Sequence, residues 1–272
     1  MEIKRIPLRE NNPNVYLDVY LNEDHESLSV SKRPMMLVLP GGGYAHCSKR
    51  EAEPIARAYM AHGWNAAVLY YSLAENAVNM NPLEDASRAM TILRRNAEEW
   101  HIYDNKIAVI GFSAGGHLAG WISTMWDNEE IMKRCGITKR GENRPDAAIL
   151  CYPVITSGNK AHKGSFYNIL GTKEPTNEQL ELYSLENRVT DETPPCFLWH
   201  TASDGAVPVE NSLYMAQSLS AHKIPFELHV FPEGPHGMSL ANAEVLTEAV
   251  PYVGRWVGLS VIWLNKIFDL NL

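Results

Sequence analysis

Ile107-Ala108-Val109-Ile110-Gly111-Phe112-Ser113-Ala114-Gly115-Gly116-His117 opens with an unbroken apolar run, turns through G-x-S-x-G and continues into a helix-compatible stretch. A serine hydroxyl is a weak nucleophile, so it must be exposed at a fixed point beside a base. A sharp strand-to-helix turn does this. Gly111 and Gly115 leave room for the crossing backbone, and Ser113 takes the strained apex. The helix N-terminus behind it favours developing negative charge. The same segment nearly fits a phosphate-binding loop, but His117 stands where that loop needs lysine, so nucleotide binding is rejected.

Around this run, short apolar stretches alternate with helical patterns. Met35–Leu39, Asn65–Tyr71, Ala147–Cys151 and Cys196–His200 are continuous apolar runs, as strands buried on both faces of a parallel sheet require. Val15–Leu21 and Phe226–Phe231 alternate in period two and are expected nearer the edges, the former as an edge strand. Helices are expected at 54–62, from 82 to about 100, at 114–125, at 208–222 and from about 251. The spacing predicts βαβ units and one α/β domain over 1–272. Residues 156–195 break the rhythm as an insertion between two strands, holding one short helix with a Thr176/Gln179 capping box. Such an excursion either shapes the mouth of a site or is a plain surface crossover.

A serine in this turn calls for an acid and then a histidine later in the chain. Asp204 follows the 196–200 strand, and His236 follows the 226–231 strand in a Gly/Pro-framed loop. Of the ten histidines only His222, His229 and His236 come after Asp204; His222 sits at a helix end and His229 inside a strand. His25, His46, His62, His101, His117, His162 and His200 are read as ordinary surface or core side chains. Glu233 competes as the acid, but only three residues from His236 it is badly placed to orient the ring. Acyl transfer also needs backbone N–H groups for the carbonyl oxygen. The amide of Ala114 is one candidate, and Pro40-Gly41-Gly42-Gly43-Tyr44, after the 35–39 strand, supplies others.

Composition narrows the partners. The chain has 272 residues, with 24 Lys plus Arg against 32 Asp plus Glu, for a net charge of −8. That balance disfavours nucleic acid, whose phosphates need a basic surface. The N-terminal residues carry no apolar signal segment, and 250–264 is too broken by Pro251, Gly254 and Arg255 to span a bilayer. Cys47, Cys135, Cys151 and Cys196 form no C-x-x-C pair and fit reduced thiols in a cytoplasmic protein. Trp256, Leu259, Trp263, Ile267 and Leu270 make an apolar stripe on the last helix; core packing explains it, with a homodimer contact as the alternative.

PGGGY at 40–44, GFSAGGHLAG at 111–120, CYPVI at 151–155, WHTASDGAVPV at 199–209 and GPHG at 234–237 together resemble the α/β-hydrolase fold. Within it they are similar to the hormone-sensitive-lipase-like esterases and the acetyl esterase/acetylxylan esterase group. The resemblance implies Ser113 as nucleophile, His236 as base, Asp204 as orienting acid, and Gly42, Gly43 and Ala114 as oxyanion donors. It implies a serine esterase for short acyl esters, with acetylated sugars or xylan fragments as small-molecule substrates and no cofactor or metal. Pro40 stands where the lipase-like H-G-G-G motif has histidine, so the loop's bracing and the choice of inward amides stay open. Tyr44, Tyr152, Phe166 and Trp199 either stack on a sugar, line an acyl pocket or pack in the core. The rival readings are a prolyl-oligopeptidase-like peptidase, for which no propeller segment is present, and a non-catalytic interaction protein on a hydrolase scaffold.

Overall fold

The apolar run at 107–112 is the inner half of a strand, β5 (Ile102–Phe112), at the centre of an eight-stranded sheet. The structure, a computed structural model, describes residues 1–23 and 30–270. The other strands are β1 (Glu2–Pro7), β2 (Tyr16–Leu21), β3 (Arg33–Leu39), β4 (Asn65–Tyr70), β6 (Ala147–Cys151), β7 (Cys196–Thr201) and β8 (Phe226–Phe231). Their order is β1-β2-β4-β3-β5-β6-β7-β8, and every pairing from β4 onward to β8 is parallel. β1 and β2 run antiparallel to each other, and β2 to β4.

Alternation along each strand divides the core in two. Met35, Leu37, Val109, Leu150 and Leu198 face one layer, and Met36, Val38, Ile110, Ile149 and Phe197 the other. The first layer is closed by α2 (Asn81–Arg95), α3 (Ala114–Thr124) and α7 (Glu210–Ala221), through side chains such as Leu83, Met90, Leu118, Ile122 and Met215. The second is closed by α1 (Glu53–Met60) and α9 (Trp256–Phe268), through Ile55, Tyr59, Trp256, Trp263 and Leu264. Apolar faces on both sides explain why these strands read as continuous hydrophobic runs. Trp256 and Trp263 of the expected C-terminal stripe are buried in this core, and Leu259, Ile267 and Leu270 pack against it. No helix of the described residues is long and apolar enough to cross a membrane.

Two expectations need correction. β2 is not an edge strand, because β1 lies outside it. The alternation of β2 was misleading because Asp18 is buried, and Arg5 directly across on β1 grips its carboxylate with two hydrogen bonds of 2.7 Å. The 156–195 insertion holds two α-helices, α5 (Lys163–Leu170) and α6 (Asn177–Glu181), rather than one. The capping box of α6 forms as expected, Gln179 N–H donating to Thr176 Oγ1 and Thr176 N–H to Gln179 Oε1. Outside the insertion, the short α4 (Glu129–Arg134) lies between α3 and β6, and α8 (Pro251–Gly254) leads into α9.

Candidate active site

The turn after β5 is built on contacts that only glycine permits. A Cβ on Gly111 would lie 2.0 Å from the Gly115 carbonyl oxygen, and one on Gly115 would lie 2.2 Å from that of Leu39 and 2.4 Å from that of Pro40. β5, α3 and the loop after β3 therefore meet backbone to backbone. Ser113 at the apex has φ +55° and ψ −117°, a strained geometry for a residue with a side chain. Its own N–H donates to the Cys151 carbonyl at 3.0 Å, and its carbonyl accepts from His117 and Val154, so the neighbouring backbone over-determines the turn.

The structure brings the three expected side chains together. His236 Nε2 lies 2.8 Å from Ser113 Oγ, and His236 Nδ1 lies 2.7 Å from Asp204 Oδ2. The order along the chain is serine, aspartate, histidine, each just past the end of a parallel strand. Asp204 is buried, and its Oδ1 accepts the N–H groups of Ala206 and Val207, both at 2.9 Å. Burial pushes the Asp204 carboxyl up, but hydrogen bonds from His200 and His236 outweigh it and hold the group well below the usual carboxylate range. Glu233 is exposed on the His236 loop, and Asp204 is the carboxylate that the imidazole meets.

His200, read from sequence as an ordinary surface or core residue, is fully buried, with Nε2 2.9 Å from the Val207 carbonyl oxygen and 3.3 Å from Asp204 Oδ2. Its Nδ1 meets Ser212 Oγ at 2.8 Å, so it braces the acid from behind. The only signal for it was a polar residue inside an apolar strand. His25 lies outside the described residues.

The loop after β3 is braced without the histidine that Pro40 replaces. The Gly41 N–H is committed to Glu51 Oε2 at 2.9 Å. The N–H groups of Gly42, Gly43 and Ala114 donate to no acceptor among the described residues. Gly42 has φ +130°, and a Cβ there would lie 2.0 Å from the His46 carbonyl oxygen. In place of a histidine brace, Tyr71 Oη donates to the Pro40 carbonyl at 2.5 Å and Asn168 Nδ2 of α5 donates to that of Gly43 at 2.8 Å. Tyr44 Oη meets His117 Nδ1 at 2.7 Å, and His117 Nε2 meets the Tyr183 carbonyl at 2.9 Å. Burial pushes the His117 pKa down to about 4, so the ring is neutral, with Tyr44 donating to Nδ1 and Nε2–H donating to Tyr183.

Tyr44, Tyr152, Phe166 and Trp199 are each buried, which decides between the alternatives for them. They pack in the core and present no face to a sugar.

A model of the BD-FAE family matches residues 17–219. The chain belongs to the BD-FAE family, on the α/β-hydrolase fold. Over 240 residues it is 42% identical to an endo-1,4-beta-xylanase B of Butyrivibrio fibrisolvens, covering 85% of this chain and 35% of that protein. Over 215 residues it is 30% identical to an acetylxylan esterase of Xylanibacter ruminicola, covering 75% of this chain and 41% of that protein. The chain thus spans well under half the length of either relative. The crystal structure of an acetyl ester-xyloside bifunctional hydrolase from Caldicellulosiruptor lactoaceticus superposes with a TM-score of 0.84 at 37% identity, covering 98% of this chain and 97% of that one.

Proposed function

We propose that this chain is a serine carboxylesterase that cleaves short acyl esters, with acetylated sugars or xylan fragments as its substrate class. The observation that carries the reading is the hydrogen-bonded line Ser113–His236–Asp204. Ser113 Oγ attacks the ester carbonyl as His236 Nε2 takes its proton. Asp204 holds the ring in the tautomer with Nδ1–H and stabilises the imidazolium. The N–H groups of Ala114, Gly42 and Gly43 receive the oxyanion. His236 then gives the proton to the leaving alcohol oxygen, and the acyl group stays on Ser113. Water, deprotonated by His236, repeats the sequence and frees the carboxylic acid.

The substrate class is supported by the relatives, an acetylxylan esterase and an acetyl ester-xyloside hydrolase among them. It is further supported by the polar insertion, where Lys163, Lys173 and Glu174 are exposed. A cytoplasmic setting is supported by the four unpaired cysteines.

The test is release of p-nitrophenol from p-nitrophenyl acetate by the parent and by Ser113→Ala. The variant is expected to keep the parent's circular dichroism and melting temperature while kcat falls on the order of 10⁶-fold. Near-parental turnover in Ser113→Ala removes the reading.

A further inference from the structure

Glu51 is a carboxylate where the fold offers little water. It precedes α1 and is 3% exposed. A buried carboxylate is costly unless its oxygens are satisfied. Here each oxygen has one strong donor, on different sides of the site. Oε2 accepts the Gly41 N–H at 2.9 Å, and Oε1 accepts the Tyr152 hydroxyl at 2.6 Å. Burial, followed by the charge of Glu51, raises the Tyr152 phenol well above its ordinary value, so it remains a donor. The Tyr152 oxygen in turn accepts the N–H of Ser239 at 2.9 Å, three residues past His236. The Tyr152 ring packs edge-on against the His236 imidazole, centroids 5.0 Å apart at 71°.

One carboxylate therefore joins the 41–43 loop to the loop that carries His236. It also sorts the glycine amides. With Gly41 held back, Gly42 and Gly43 are the amides left without an acceptor among the described residues. The fit is close: a Cβ on Gly41 would lie 2.6 Å from Glu51 Oε2 and 3.1 Å from Ser113 Cβ. We propose that Glu51 is a positioning residue that, with Tyr152 as its link, sets the oxyanion-binding amides in register with Ser113 and His236. This inference rests on the esterase reading above.

Glu51→Gln keeps the shape. Its carbonyl can hold Gly41, but its NH₂ then points at a Tyr152 oxygen that already accepts from Ser239, and the phenol proton loses its acceptor. Tyr152→Phe leaves Glu51 holding Gly41, strips Glu51 Oε1 and the Ser239 N–H of their partner and so cuts the link to the histidine loop; it carries the test if Glu51→Gln is not recovered folded. Both are assayed for kcat and KM on p-nitrophenyl acetate, for melting temperature, and for inhibition by an aryl trifluoromethyl ketone, which captures the serine as a tetrahedral oxyanion. We expect kcat to fall on the order of 10²-fold in Glu51→Gln and about 10-fold in Tyr152→Phe, as for a small misplacement of catalytic groups. KM should stay within about 3-fold, and Ki for the ketone should weaken in proportion to kcat/KM. Variants that melt earlier yet keep parental kcat and Ki per folded molecule overturn the inference and leave the esterase reading intact. A parent without esterase activity fails the esterase reading instead.

Discussion

The hydroxyl of Tyr44 donates to Nδ1 of His117 across 2.7 Å, fastening the loop after β3 to the first turn of α3. The imidazole is wholly buried and works as an acceptor only while it is neutral. Protonating it would break that bond and place an unpaired charge in the core.

This gives stability a defined pH dependence. The folded pKa is pushed down to about 4, whereas an unfolded histidine sits near 6.5. Between those values the unfolded chain binds a proton that the folded chain refuses, so stability falls on acidification through this window and levels off below it. The stability difference between parent and His117→Gln, from urea unfolding, should shift against the parent by about 2–3 kcal/mol from pH 7 to pH 4.5. A difference independent of pH would remove the neutral-imidazole assignment.

Asp204 titrates in the opposite sense. Its folded pKa lies below its unfolded value, so its contribution is complete above about pH 4, the ordinary carboxylate value, and is lost as pH falls through the folded value. The melting-temperature gap between parent and Asp204→Asn should therefore narrow as pH falls below about 4. Turnover of the variant should drop by about 10⁴-fold, since asparagine favours the wrong imidazole tautomer. Glu233→Gln should be nearly silent; if it is the damaging change and Asp204→Asn is mild, the acid has been misassigned.

Acyl preference is the third expectation. Each buried methylene contributes roughly 0.8 kcal/mol, so an enzyme with a long apolar channel gains steeply with chain length. The insertion here exposes Lys163, Lys173 and Glu174, which suits a hydrated alcohol better than a lipid tail. For p-nitrophenyl acetate, butyrate, octanoate and palmitate, kcat/KM should fall sharply beyond about four acyl carbons, because further methylenes find no burial. Values that rise through octanoate would end the acetyl-ester preference and spare the assignment of Ser113.

The central strands were legible because burial on both faces demands unbroken apolar runs, and Met35–Leu39 or Ala147–Cys151 have no other simple reading. β1 was not, since Ile3 is exposed among charged neighbours and Arg5 acts through Asp18 and the Tyr16 ring on the next strand. α5 was hidden by Gly164, Ser165 and Asn168, weak helix formers whose helix is set by tertiary packing of Phe166 and Ile169. Ser113, Asp204 and His236 could be placed because each follows a strand end, where topology brings distant loops together. Glu51 could not, because in Lys49-Arg50-Glu51-Ala52-Glu53 it looks like one more surface charge, and only the folded chain closes Gly41 and Tyr152 over it.

The bond from Asn168 to the Gly43 carbonyl bears on any attempt to retailor this protein. The insertion is the natural cassette to exchange when a different alcohol is wanted. Yet one of its side chains is a guy-rope on the loop whose amides would meet the oxyanion, so a graft chosen for selectivity alone would also detune turnover. A replacement segment has to bring its own donor to Gly43.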